Sequence, residues 1–103
     1  MNNRIVMKVS SISNEIILAA ADKEILGKNL REGILHLEVK EDFYGSNPVS
    51  KALFLETMSI CTIANLVGNY TVKTAIEAKF IDRDNVIEIE KIKHCQYAKM
   101  IRP

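Results

Sequence analysis

Two cysteines and two histidines are the residues of this chain best suited to act as a nucleophile, a base or a metal ligand. His94 and Cys95 are adjacent, and consecutive side chains of a β-strand point to opposite faces. They would not hydrogen-bond to each other, so we expect a buried thiol rather than a catalytic dyad. Together with Cys61 and His36 they also lack the short paired spacing of zinc sites. The sequence therefore predicts no catalytic residue, no metal site and no cofactor.

Two glycines beside cations could bring backbone N–H groups and positive charge up to a phosphate. Lys28 follows Gly27, and Arg31 lies two residues before Gly33. The segment lacks the pattern of a phosphate-binding loop, so two turns with solvated charges are the alternative interpretation. Lys28 and Arg31 are accordingly candidate ligand or phosphate contacts.

Three further polar residues are candidate ligand contacts. Asn65 stands between apolar residues, where its side chain either bonds the backbone of a following turn or contacts a ligand. His94 and Gln96 are predicted to lie on one side of the last strand. A pocket between this strand and the loop of residues 43–45, Phe-Tyr-Gly, would make the protein a small ligand-binding protein or an enzyme.

The C-terminal stretch is locally basic although the whole chain is nearly neutral. Fourteen Lys and Arg against thirteen Asp and Glu give a net charge of +1, which provides no overall attraction to a polyanion. Residues 91–103 nevertheless carry no acid and four cations, which are Lys91, Lys93, Lys99 and Arg102. These four are candidate nucleic-acid contacts. Three Phe, three Tyr and no Trp leave few side chains for base stacking.

The composition is typical of a globular domain, with 48% hydrophobic and 26% charged residues. At this length we predict a single domain over residues 1–103. No stretch approaches the roughly 18 apolar residues of a membrane span, and the first nine residues are too short and too charged for a secretory signal. With only two cysteines, we expect reduced thiols in a cytoplasmic protein that has no membrane partner.

The periodicity of apolar residues predicts strands before and after a central helical region. The predicted strands cover residues 4–10, 15–21, 34–40, 86–90 and 94–101. A long helix is predicted to begin at Ser46 and Asn47, with Pro48 in its first turn, and to end at Gly68. A second helix is predicted over residues 70–79.

This order lacks the regular alternation of strand and helix that builds a parallel sheet. We therefore predict an α+β fold in which a largely antiparallel sheet of about five strands has two consecutive helices packed on one face. Asp22 is predicted to cap a single helical turn that follows it. Phe54 and Ile60 are expected to be partly uncovered on the outer side of the long helix. There, or along an exposed strand edge, the chain could bind a protein partner or form a homodimer.

A set of short motifs over nearly the whole chain resembles the archaeal domain of unknown function 424 family. They are Leu26-Gly27-Lys28, Arg31-Glu32-Gly33, residues 35–39, Phe43-Tyr44-Gly45, residues 64–68, Ala75-Ile76-Glu77 and His94-Cys95-Gln96. Cys95 stands where the family usually has alanine, and Lys79 where it tends to have glycine, which argues against a family-wide role for the thiol. The resemblance implies an archaeal, cytosolic protein without an established activity. We expect a non-enzymatic binding protein of translation or RNA metabolism, with RNA, the ribosome or a translation factor as its partner.

Overall fold

Segments of alternating apolar residues form the strands of one main β-sheet, on which the other elements pack. The computed structural model describes residues 3–99. The strands are β1 Ile5–Ile12, β2 Glu15–Asp22, β3 Asn29–Glu32, β4 Leu35–Glu38, β5 Pro48–Val49, β6 Ile63–Val67, β7 Ile87–Ile89 and β8 Ile92–Ala98. The helices are α1 Glu41–Tyr44, α2 Lys51–Ile60 and α3 Asn69–Glu77, and single 3-10 turns cover Lys23–Ile25 and Arg83–Asn85.

The main sheet has six strands in the order β5-β1-β2-β6-β8-β7, and β3 and β4 form a separate hairpin. Every neighbouring pair is antiparallel except β2 and β6, which run parallel. The prediction of an α+β fold is confirmed. The sheet is mixed and has one strand more than the expected five, and its two longer helices are not consecutive.

The central strand β6 is formed by residues predicted from sequence to end the long helix, and that prediction is wrong. Helix α2 ends at Ile60, and β6 then enters the sheet between β2 and β8. Ala64 and Leu66 face the helices, whereas Asn65 points to the opposite face. A short run with apolar residues on both faces fits a helix and a strand equally well, which is why its periodicity was misleading.

The start of α2 also differs from the prediction. Pro48 lies in the edge strand β5, opposite Val6, and not in the first turn of a helix. The cap is Ser50, whose side-chain oxygen accepts a hydrogen bond from the backbone N–H of Leu53 at 3.1 Å. Phe54, expected to be partly uncovered, is fully buried, and Ile60 is 58% exposed.

Two buried layers hold the sheet. Helices α2 and α3 cover one face, whose core includes Ile5, Leu18, Phe54, Met58, Leu66, Val72 and Cys95. The hairpin β3–β4 and α1 cover only part of the other face, whose core includes Val6, Ala21, Leu30, Val39, Tyr44 and Val67. The second face is therefore only half covered.

The N-terminus of α3 is capped by a residue far away in sequence. The Asp22 carboxylate accepts hydrogen bonds from the backbone N–H groups of Tyr70 at 3.1 Å and Thr71 at 2.8 Å, and from the Thr71 hydroxyl at 2.7 Å. Its side chain makes no cap bond to the 3-10 turn that follows it, contrary to the prediction. Asp22 approaches α3 closely because Gly68, with φ of +115°, has no side chain there.

We expect Gly68→Ala to destabilise the protein, although Gly68 precedes a helix and does not end one. An added Cβ would overlap the carboxylate of Asp22 and would also sit on a backbone with positive φ. We expect a loss of roughly 2 to 4 kcal/mol in the free energy of unfolding, measured by urea melts. Gly33→Ala is the matched control, because φ is +62° there and nothing lies within 4 Å of the added Cβ. It should lose only about 1 kcal/mol, so equal losses would contradict this account.

Candidate functional site

His94 and Cys95 lie on opposite faces of β8, as predicted. The His94 ring donates from Nδ1 to the Leu66 carbonyl oxygen at 2.9 Å, since a carbonyl can only accept. Burial lowers the pKa of His94 below its usual value, and the bond to Leu66 opposes that shift only in part. Burial raises the pKa of Cys95 to about 11. The Cys95 thiol therefore stays protonated near neutral pH, and the two side chains do not form a dyad.

Burial also raises the pKa of the second thiol, Cys61, although its backbone and Lys99 lower it slightly. Its Sγ lies 3.5 Å from the carbonyl oxygen of Met58. Within residues 3–99, no three His, Cys, Asp or Glu side chains are grouped so that they could hold a metal ion. None of the helices in that range is long and apolar enough to cross a membrane.

In the glycine segment, Lys28 lies at the end of a turn and Arg31 in β3, and the backbone N–H groups there are already bonded. The Gly27 N–H donates to Val39 at 2.7 Å, and the Lys28 N–H donates to Ile25 at 3.1 Å. The Arg31 N–H donates to a carboxylate oxygen of Glu90 at 2.7 Å. These amides are therefore not free to hold a phosphate, and only the exposed side chains of Lys28 and Arg31 remain as candidate contacts.

One face of the main sheet carries the side chains of Asn65, His94 and Gln96, and α1 packs on the same face. Asn65 is directly opposite Gln96 in the β6–β8 pairing, and its Oδ1 accepts a hydrogen bond from the Tyr44 hydroxyl at 2.7 Å. Burial raises the pKa of Tyr44 to about 12. The sequence did not identify Tyr44 as a partner of Asn65, although a buried tyrosine normally needs a hydrogen-bond acceptor.

Two surface depressions, of about 500 and 490 Å³, meet at Asn69, the first residue of α3. Lys73, Arg83 and Lys93 line the first, with the acids Glu77 and Glu88. Arg4 and Lys28 line the second, with the acids Asp22 and Glu24. The structure thus places two of the candidate contacts, Lys28 and Lys93, at neighbouring depressions.

Asn69 fixes the turn that carries Lys91 and Lys93. Its Nδ2 donates to the Lys91 carbonyl oxygen at 3.2 Å, and its Oδ1 accepts from the Lys93 N–H at 2.9 Å. The Lys93 ammonium lies 3.6 Å from a carboxylate oxygen of Glu88. This role of Asn69 could not be predicted from local sequence patterns, because its partners lie more than 20 residues away.

Cations exceed the available acids around Asn69. The Arg4 guanidinium lies over the Tyr70 ring at 4.1 Å and 3.9 Å from Glu24. Asp22 also lines the second depression, where its buried carboxylate is bonded to the first turn of α3. The two depressions together are lined by five basic and four acidic residues, so basic residues are in excess by one.

The remaining basic candidates do not join this group. Lys99 follows the far end of β8, where its N–H donates to Thr62. At a rise of about 3.3 Å per residue it lies about 20 Å along the strand from Lys93. Arg102 lies outside the described residues. The four predicted nucleic-acid contacts therefore do not form one patch among the residues that the structure describes.

His94 should make the stability of the protein depend on pH. Its pKa is lowered in the folded state, so between that value and about 6.5 the unfolded chain binds more protons. Stability should be complete above about pH 6.5 and should fall as the pH drops below it, by up to about 1.4 kcal/mol per pH unit. Urea melts of the wild type and His94→Asn over this range test the effect. An identical pH dependence in both proteins would contradict it.

Comparison with known proteins relates the chain to uncharacterised relatives. A crystal structure of an uncharacterised conserved protein from Methanopyrus kandleri has the same fold, with a TM-score of 0.81 and 17% sequence identity over 96% of this chain and 94% of that one. No curated protein matches significantly. The model of the family described as protein of unknown function DUF424 matches residues 10–100. This match covers most of the sequence, so the chain belongs to the DUF424 family.

Proposed function

We propose that this protein is a non-enzymatic, cytoplasmic binding protein that binds RNA, free or within the ribosome, through the two depressions beside Asn69. The observation that carries the proposal is the grouping of Lys73, Arg83 and Lys93 along one depression, with Lys28 at the next. A surface that neutralises phosphates with Lys and Arg needs no fixed geometry around a reacting atom. It therefore suits binding better than catalysis.

The arrangement favours a chain of phosphates over a single phosphate. The α3 amides that would otherwise bind an isolated anion already bond Asp22. Cationic side chains are instead spread over two depressions that share Asn69 in their lining. A flexible, single-stranded RNA backbone could cross from one depression to the other and place successive phosphates near separate cations.

The low net charge of the chain determines the affinity for RNA that we expect. Four acids also line this surface, and Glu88 and Glu24 are already near Lys93 and Arg4. Long-range attraction is weak, so binding depends on the few cations that approach phosphates directly. A modest affinity with a clear salt dependence is the expected behaviour.

RNA binding should weaken steeply with salt. If four cations contact phosphates, the slope of log Kobs against log salt is about −2.8 for single-stranded RNA, so binding falls roughly 50-fold for a fourfold rise in salt. Fluorescence anisotropy with a labelled, mixed-sequence RNA oligonucleotide measures this slope. The triple variant Lys73→Gln, Arg83→Gln and Lys93→Gln should reduce it to about −0.7.

A matched triple variant removes the same charge elsewhere. Lys40→Gln, Lys51→Gln and Lys99→Gln lie outside both depressions and should leave the slope unchanged. Equal effects of the two triple variants would show non-specific attraction and contradict the proposed site. Absence of binding by the wild type even at low salt would remove RNA as the ligand.

A further inference from the structure

Half of one sheet face carries aliphatic side chains without a covering layer. In the β1–β2 and β2–β6 pairings, Ser10 lies opposite Ile17, and Ile17 lies beside Ile63. Ile63 in turn lies opposite Ala98 on β8. Neither Ile17 nor Ile63 belongs to either buried core, and Ile12 on the same face is 61% exposed. We call the surface formed by Ser10, Ile12, Ile17, Ile63, Gln96 and Ala98 the open face.

The open face differs from the solvated face of an ordinary antiparallel sheet. Such a face usually carries polar residues that alternate with the buried ones. Here the six outward positions are aliphatic, hydroxyl or amide, and none carries a charge. An uncharged, largely aliphatic surface of this kind can be covered by another protein without the burial of a charged group.

The sheet face that carries the open face is covered by α1 at one end only. Helix α1 contacts β1 and β2 at the end where Val6 and Ala21 are buried, and Tyr44 reaches from it to Asn65. The open face begins beyond that point, toward the β1–β2 turn. Helix α1 therefore projects above one half of this sheet face, and the other half is uncovered sheet.

The charges at the two ends of the open face have opposite sign. Lys8 lies at the α1 end, where its Nζ also donates to the backbone oxygen of Asp42 at 2.9 Å. Glu15 lies at the other end, opposite Ile12. Lys8 and Ile12, the residue opposite Glu15, are four residues apart on β1, which is about 13 Å along the strand. Reversing the strand direction in a second copy brings each Lys8 beside the other copy's Glu15.

We propose that a second copy of this chain covers the open face, docked face to face with its strands reversed. In that arrangement the raised α1 of each copy lies over the bare sheet of the other, and Phe43 on α1, which is 47% exposed, adds apolar contact. The two contacts are the same by symmetry, as in most homodimers. The surface is distinct from the depressions at Asn69, so this association does not depend on RNA binding.

The small area of the open face predicts a weak dimer. Four strands about 4.8 Å apart and a length of about 13 Å give roughly 200 Å² of sheet, to which α1 adds more. Stable interfaces bury about 800 Å² on each partner. We therefore expect association at the upper end of the micromolar range and no dimer in dilute solution.

Sedimentation equilibrium from micromolar to millimolar protein tests the proposal. The mass should rise from the 11.6 kDa of the monomer toward twice that value. A monomeric mass at every concentration would overturn the proposal. Ile12→Ser should abolish the rise, whereas Ile60→Ser, at a residue with nearly equal exposure on α2, should leave it unchanged. Loss of the dimer in both variants, or in Ile60→Ser alone, would place the contact elsewhere and overturn it.

A charge reversal tests the orientation of the dimer. Lys8→Glu alone should weaken association several-fold, because the new carboxylate would meet the other copy's Glu15. The double variant Lys8→Glu with Glu15→Lys should recover the wild-type association, since the pairing is restored with opposite sign. Failure to recover, in a variant whose circular dichroism spectrum and urea midpoint match those of the wild type, would overturn the strand-reversed docking.

Discussion

The contact between the Asp22 carboxylate and the first turn of α3 is the interaction on which the arrangement of the rest depends. It joins the end of the central strand β2 to a helix that begins 47 residues later, and the carboxylate is almost fully buried. Three donors from Tyr70 and Thr71 compensate for that burial. The contact requires glycine at position 68, so one residue without a side chain allows the helix and the sheet to approach each other.

The same contact decides where the protein can bind an anion. A helix N-terminus is usually an anion site, but here the chain's own carboxylate occupies it. With α3 fixed, Asn69 points to the β7–β8 turn and holds the backbone of Lys91 and Lys93. In the proposed RNA site, the contacts to phosphates would therefore come from lysine and arginine side chains and not from the helix N-terminus, which suits a polyanion of variable sequence better than one defined phosphate.

The parts of the fold that could be predicted from sequence are those set by local patterns. The β1–β2 hairpin, α3, β7 and β8 follow from alternation, helical spacing and turn residues, and the side-by-side position of His94 and Gln96 follows from strand geometry. Strand β6 could not be predicted, because its residues are apolar on both faces. Gly68 was expected to end a helix, whereas it precedes α3 with positive φ, and the reason for glycine there is the approach of Asp22, a contact across the fold that no local pattern contains.

The two proposed surfaces would support each other. Strand reversal in the dimer places the Asp22 ends of the two copies at opposite ends of the assembly, because the open face lies toward the β1–β2 turn. Both cationic surfaces would then remain free and would point away from each other. We expect each surface alone to bind weakly, because the open face is small and the chain has a net charge of only +1. Two sites on one assembly would bind a long RNA more tightly than either site alone, because the second contact forms at high effective concentration. The proposed weak dimer and the proposed weak RNA site would together allow a small protein to bind a large, extended RNA.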